Sequence, residues 1–248
     1  MGVEGPFPNS PLQILDERLH ADPSRVVLRP FHLGWQASKA PGSRAQKLVH
    51  DIAALSEAEV KAEYARVRQD FVARHWQTET MFEERFAEVE ETADIDCSGF
   101  SRTRKRLIGA FFCHEYSYAA AALMNPSIVP HPDQSGISGG AVRFVMSLRA
   151  VGEGHISSIA FREGIANADG SFSLWPQGAL ATSVDLDDAS LHDSDSGVIV
   201  HRHPESSLSN TVIFPITEQQ RGGLEDLRLV RFDHGGGDYE WIGTYTAY

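Results

Sequence analysis

Two adjacent carboxylates and a guanidinium, Glu225-Asp226-Leu227-Arg228, stand just after the turn signal Arg221-Gly222-Gly223. Two short apolar-alternating runs follow, Leu227 to Phe232 and Tyr239 to Tyr245. Between them Asp233-His234-Gly235-Gly236-Gly237-Asp238 has the composition of a hairpin connection. A carboxylate where a turn enters a strand, beside a guanidinium, has the chemistry of a proton-transfer group on a rigid element. An aspartate near a turn also caps that turn, and spacing alone leaves both readings open. Other polar groups gather at turns and strand ends. Asn125, Ser127, His131 and Asp133 fall in NPSIVPHPDQ, and Arg149, Glu153, His155, Ser157 and Ser158 fall in SLRAVGEGHISS. Such donors and acceptors at the rim of a sheet suit sugar hydroxyls, although Ser157 and Ser158 can equally bond locally. His201-Arg202-His203 with His131 or His155 matches no standard zinc spacing, and no G-x-S-x-G elbow is present.

The elements that must hold these residues change character along the chain. Residues 1–43 contain Pro6, Pro8, Pro11, Pro23, Pro30 and Pro41, which forbid a long helix; an extended arm with a short strand at Arg25 to Leu28 is expected. Residues 44–124 read as a helical domain. Ser56-Glu57-Ala58-Glu59 is a capping box, and Val60, Tyr64, Val67, Phe71 and Val72 mark one apolar face behind it. A second helix is expected over Glu79 to Glu91, with Phe82, Phe86 and Val89 inward. A third, capped by Ser101, runs through Leu107, Phe111 and Tyr116 to Asn125, where Pro126 stops it. His114 and Tyr118 would then lie one turn apart on that helix. Beyond Pro126 the period becomes two: Val142 to Leu148, Ile156 to Ala160, Phe172 to Trp175, Val198 to His201 and Thr211 to Phe214 are strand candidates. Asp185 to Ser196 is an acidic, serine-rich loop. Short strands at this spacing predict an all-β array such as a propeller.

Composition excludes several classes of function. The 248 residues are 42% hydrophobic and 23% charged, with a formal net charge of -12 that repels a phosphate backbone and argues against nucleic acid as a partner. No apolar run approaches the roughly 20 residues that span a bilayer, so no membrane partner is expected. Only two cysteines, Cys97 and Cys113, occur, and no basic-then-apolar leader is visible at the N-terminus; a cytoplasmic location follows as the expectation.

NPSIVPHPDQ, RFVMSLRAVGEGHISSIAFREG, TVIFPITEQQRGGLEDLRLVRF and GTYTAY, in that order, resemble glycoside hydrolase family 130, the β-mannoside phosphorylases and related glycosidases. The similarity covers about residues 100 to 248, and the helical first half resembles the N-terminal extension of longer members. The resemblance implies an α+β chain in which the helical region precedes a five-bladed β-propeller, of which residues 125–248 supply two to three blades. It implies that the chain is the N-terminal part of a longer enzyme; a homo-oligomer is the expected assembly. It further implies inverting cleavage of a β-mannosidic bond, with phosphate or water as nucleophile and no cofactor besides inorganic phosphate as co-substrate. Asp226, the aspartate of the family's E-D-x-R motif, would be the general acid, its proton reaching the glycosidic oxygen through a mannose hydroxyl. Arg228 would steady that carboxylate, and Asn125, Ser127, Arg149 and Ser158 would line the mannose subsite. The alternative is a non-catalytic sugar-binding or assembly fragment.

Overall fold

The computed structural model describes residues 15–31, 43–93, 96–137, 139–187 and 197–247. Along the chain these form strand β1 (Val26–Pro30) and helices α1 (Arg44–Ala53), α2 (Glu57–Val72), α3 (Thr78–Ala93) and α4 (Arg102–Phe111). Strands β2 (Cys113–Ser117), β3 (Ala122–Pro130), β4 (Val142–Val151), β5 (Ser157–Ala166), β6 (Phe172–Leu174) and β7 (Leu180–Ser183) follow. The last are β8 (Asp185–Leu186), β9 (Val200–His201), β10 (Thr211–Ile213), β11 (Leu224–Gly235) and β12 (Asp238–Ala247). No helix among the described residues is long and apolar enough to cross a membrane.

Chain contacts define two compact units. One is Arg25–Ser117 with Leu180–Ser183; the other takes in the chain up to Ser24, Tyr118–Ala179 and Val184–Tyr248.

In the first unit, serine starts three of the four helices for the same reason. Ser43, Ser56 and Ser101 each accept a bond from a backbone N–H that the first helical turn leaves orphaned, at Gln46, Glu59 and Arg104. The Ser56–Glu59 capping box is complete. Val49, Ile52, Val60, Tyr64, Phe82, Phe86, Val89, Leu107 and Ile108 close one core. The expected inward positions of α2 and α3 are therefore met, except that Val72 at the end of α2 is exposed. Gly109 lets α4 lie against α3: a Cβ there would sit 1.8 Å from the Phe82 carbonyl oxygen. The helix expected to continue to Asn125 ends at Phe111. Residues Cys113–Ser117 instead pair antiparallel with β1, Val27 opposite Tyr116, while β1 pairs parallel with β7. The apolar run fits a helical period, but its β-branch-rich partner at Val26–Leu28 wins these residues for a sheet. His114 and Tyr118 thus share no helix; His114 packs edge-on against Phe31.

In the second unit the sheet order is β10-β5-β4-β3, with β6 on the far end of β5. Alternation splits its residues between two faces. Phe144, Met146 and Leu148 point to one, packed by Leu19, Leu123, Phe172 and Leu174. Val129, Val145, Ile159 and Phe161 point to the other, where Leu224, Leu227, Leu229 and Trp241 of the β11–β12 hairpin cover them. That hairpin turns through Gly235, Gly236 and Gly237, all at positive φ. β8 and β9 form a separate two-residue pair.

This overturns the expected helical region followed by an all-β five-bladed propeller. The fold is mixed α/β: β1 precedes the helices, and their unit contains β1 paired antiparallel with β2 and parallel with β7. Most strands after Pro126 run into one continuous sheet, beside the β11–β12 hairpin and the short β8–β9 pair, rather than into separate four-stranded blades. Strand length and turn spacing are the same in both arrangements, and only long-range pairing separates them.

Candidate functional site

Two β-bulges face each other in the second unit. On β3 the register with β4 breaks between Met124 and Ser127, and on β11 the register with β12 breaks between Glu225 and Arg228. The extra residue in each is left-handed: Asn125 has φ 54 and Asp226 has φ 53. Asn and Asp tolerate this region better than other non-glycine residues, yet it still costs about 1 kcal/mol or more each. A bulge re-aims its side chain, and such conformations persist where surrounding contacts over-determine them. Here the two re-aimed side chains meet. Asn125 Nδ2 donates to Asp226 Oδ1 at 2.6 Å.

Arg149 extends from β4, opposite Met124 of β3 and Ile159 of β5. Its guanidinium pairs with Glu225, its Nε donates to Ser157 Oγ at 3.1 Å, and its Nη1 lies 4.0 Å from Asp226 Oδ1. The Ser157 hydroxyl donates in turn to Glu225 Oε1 at 3.2 Å. The two carboxylates therefore differ. Glu225, 15% exposed, is ion-paired with Arg149 and accepts from Ser157; Asp226, 37% exposed, keeps contact with solvent.

Three further bonds fasten β11 beside the bulges. Arg228 Nη1 donates to the Pro126 carbonyl at 2.7 Å, the Ser147 hydroxyl to the Leu227 carbonyl at 2.9 Å, and the Leu229 amide to Ser127 Oγ at 3.1 Å. These contacts hold the backbone of both bulges, which is what lets two strained residues stay in register.

Of the residues assigned to the sugar site, Asn125, Arg149 and Asp226 come together. Arg228 reaches the bulge opposite, and Arg149 is the guanidinium that lies near Asp226. Ser127 serves the backbone of β11. Ser158 does not join them: it is buried, faces the other side of the sheet, and its hydroxyl reaches only the Ala150 carbonyl, at 3.5 Å. Glu225 and Ser157 complete the cluster but were not assigned to it. Strand alternation already carried the signal for Ser157, which shares the parity of Ile159 and Phe161 on the face that looks toward β11.

His131 and Asp133 belong to a different group. His131 Nε2 lies 3.5 Å from Glu163, which also takes a 2.8 Å bond from Arg143 and a 3.1 Å bond from Ser209. Arg143 bonds Asp133 and stacks over Trp175 at 4.5 Å. No group of three or more His, Cys, Asp or Glu side chains among the described residues could hold a metal ion.

The chain matches no protein-family model, no curated protein and no solved structure.

Proposed function

We propose that the Asn125–Asp226–Arg149 cluster is the mannoside site of a carbohydrate-active enzyme that cleaves a β-mannosidic bond with inversion. Asp226 is the general acid of this reading, Asn125 orients it, and Arg149 hydrogen-bonds sugar hydroxyls at the rim. The observation that carries it is the pairing of two left-handed, non-glycine residues in facing bulges, one of them a solvent-accessible carboxylate. Inverting cleavage by water needs a second carboxylate as base, whereas phosphate attacks without one. Glu225 is already engaged by Arg149 and Ser157, so the cluster favours phosphate as the nucleophile.

Asp226→Asn tests the assignment. It keeps the shape of the side chain and removes the proton, so turnover of a β-mannoside with phosphate should fall by a factor on the order of 10² to 10⁴ while mannose binding, read by calorimetry, persists. An unchanged rate ends the reading. Mannose binding by the unaltered chain with no phosphate-dependent turnover replaces it with a non-catalytic sugar-binding role.

A further inference from the structure

Leu224 and Leu227 flank Glu225 and Asp226 in sequence, and their side chains turn to a different feature. With Ile159, Val200, Ile213 and Tyr245 they line a cavity of about 200 Å³, partly open to solvent. The hydrocarbon wall comes from β5, β9, β10, β11 and β12, all within the second unit. No charged side chain lines it. An apolar cavity of about 150 Å³ is large enough to take up benzene, so this one has room for a substituted ring.

One polar group at the cavity is oriented by its neighbours. Gln220 Oε1 accepts from the backbone amides of Ile216 and Thr217, at 2.9 and 3.2 Å. That fixes which end of the amide faces outward, and Nε2 donates to the Tyr245 hydroxyl at 3.0 Å. The hydroxyl oxygen is thus an acceptor toward Gln220, and its own proton has no acceptor among the described residues. Gln220 and Tyr245 are thus the polar side chains among the cavity's lining residues, and an apolar, uncharged space with a few polar groups at its wall is the usual form of a small-ligand site.

We propose that this cavity binds the uncharged aryl part of a small molecule of phenol or cresol size, with the Tyr245 hydroxyl donating to the ligand's oxygen. The site stands apart from the sugar chemistry: it uses neither Asp226 nor Arg149, so its fate and that of the mannoside reading are separate.

The full chain titrated with p-cresol and toluene, followed by ligand-observed NMR, tests it. Both should bind, and Ile213→Phe, which fills the cavity, should weaken both by about tenfold or more. Val200→Phe does the same from the short β9 edge, in case the first variant fails to fold. Tyr245→Phe should weaken p-cresol about three- to tenfold and leave toluene within about twofold. No binding of either probe at about 10 mM, or undiminished binding by a folded cavity-filling variant, overturns the site. Equal effects of Tyr245→Phe on the two probes overturn the anchor.

Discussion

Replacing Asn125 separates backbone strain from side-chain bonding, because both are concentrated in one residue. At φ 54 a Cβ is crowded, and for alanine the left-handed region costs roughly 1–2 kcal/mol relative to glycine. Asn125 also supplies the 2.6 Å bond to Asp226. Such a bond to a charged group is worth about 1.5–3 kcal/mol when buried, and about 1 kcal/mol here, where the carboxylate is partly solvated. Asn125→Ala loses that bond and leaves a worse left-handed residue, so it should destabilise by about 2 kcal/mol. Asn125→Gly loses the same bond, relieves the strain, and gives back part of that relief to the flexibility of the unfolded chain. Its stability should stay within about 1 kcal/mol of the parent. Urea unfolding of the parent and both variants reads the difference directly, and the melting temperature of the alanine variant should fall by about 4–8 °C. Turnover or sugar binding should suffer in both, since neither can hold Asp226. Equal destabilisation by glycine and alanine would refute the reasoning, because it would mean that no strain resides in the β3 bulge.

Other outcomes follow from the helical unit. Gly109→Ala would drive a methyl into the Phe82 carbonyl and should cost about 3 kcal/mol, visible as a loss of cooperative unfolding or a large drop in midpoint. Bonds from Arg102 and Arg106 hold the Glu83 carboxyl down to about 2. A depressed carboxylate contributes stability that is present above its unfolded value of 4.5 and lost as pH falls from there toward about 2. Because Glu83 is 38% exposed, solvent screening limits the effect to about 1 kcal/mol or less. Acid unfolding curves of the parent and Glu83→Gln should therefore converge near pH 2 and separate above pH 4.5. Burial pushes the Cys113 thiol up to about 12, so iodoacetamide at about pH 8 should label it only after unfolding. Rapid labelling of the native chain would contradict that burial.

Local signals accounted for much of the architecture. The serine caps at Ser56 and Ser101, the inward faces at Val60, Tyr64, Phe82, Phe86 and Val89, the strands at Val142 and Ser157, and the glycine hairpin are set by interactions within a few residues. Residues Cys113–Ser117 show where that reach ends. Their helical period was real, yet Val26–Pro30, more than eighty residues away in the chain, paired with them. The propeller expectation failed for a related reason, since turn spacing counts strands without saying which edges bond.

The candidate site divides along the same line. Sequence by itself determined which groups were on hand: an E-D-x-R run after a glycine turn, an asparagine before a proline, an arginine on an apolar strand. Only the tertiary structure decided that Asn125 and Asp226 meet across two bulges, and that Arg149 rather than Arg228 lies beside Asp226. A strand's alternation assigns faces from local geometry alone, but a bulge shifts that assignment by one residue, and its position depends on the partner strand it must fit.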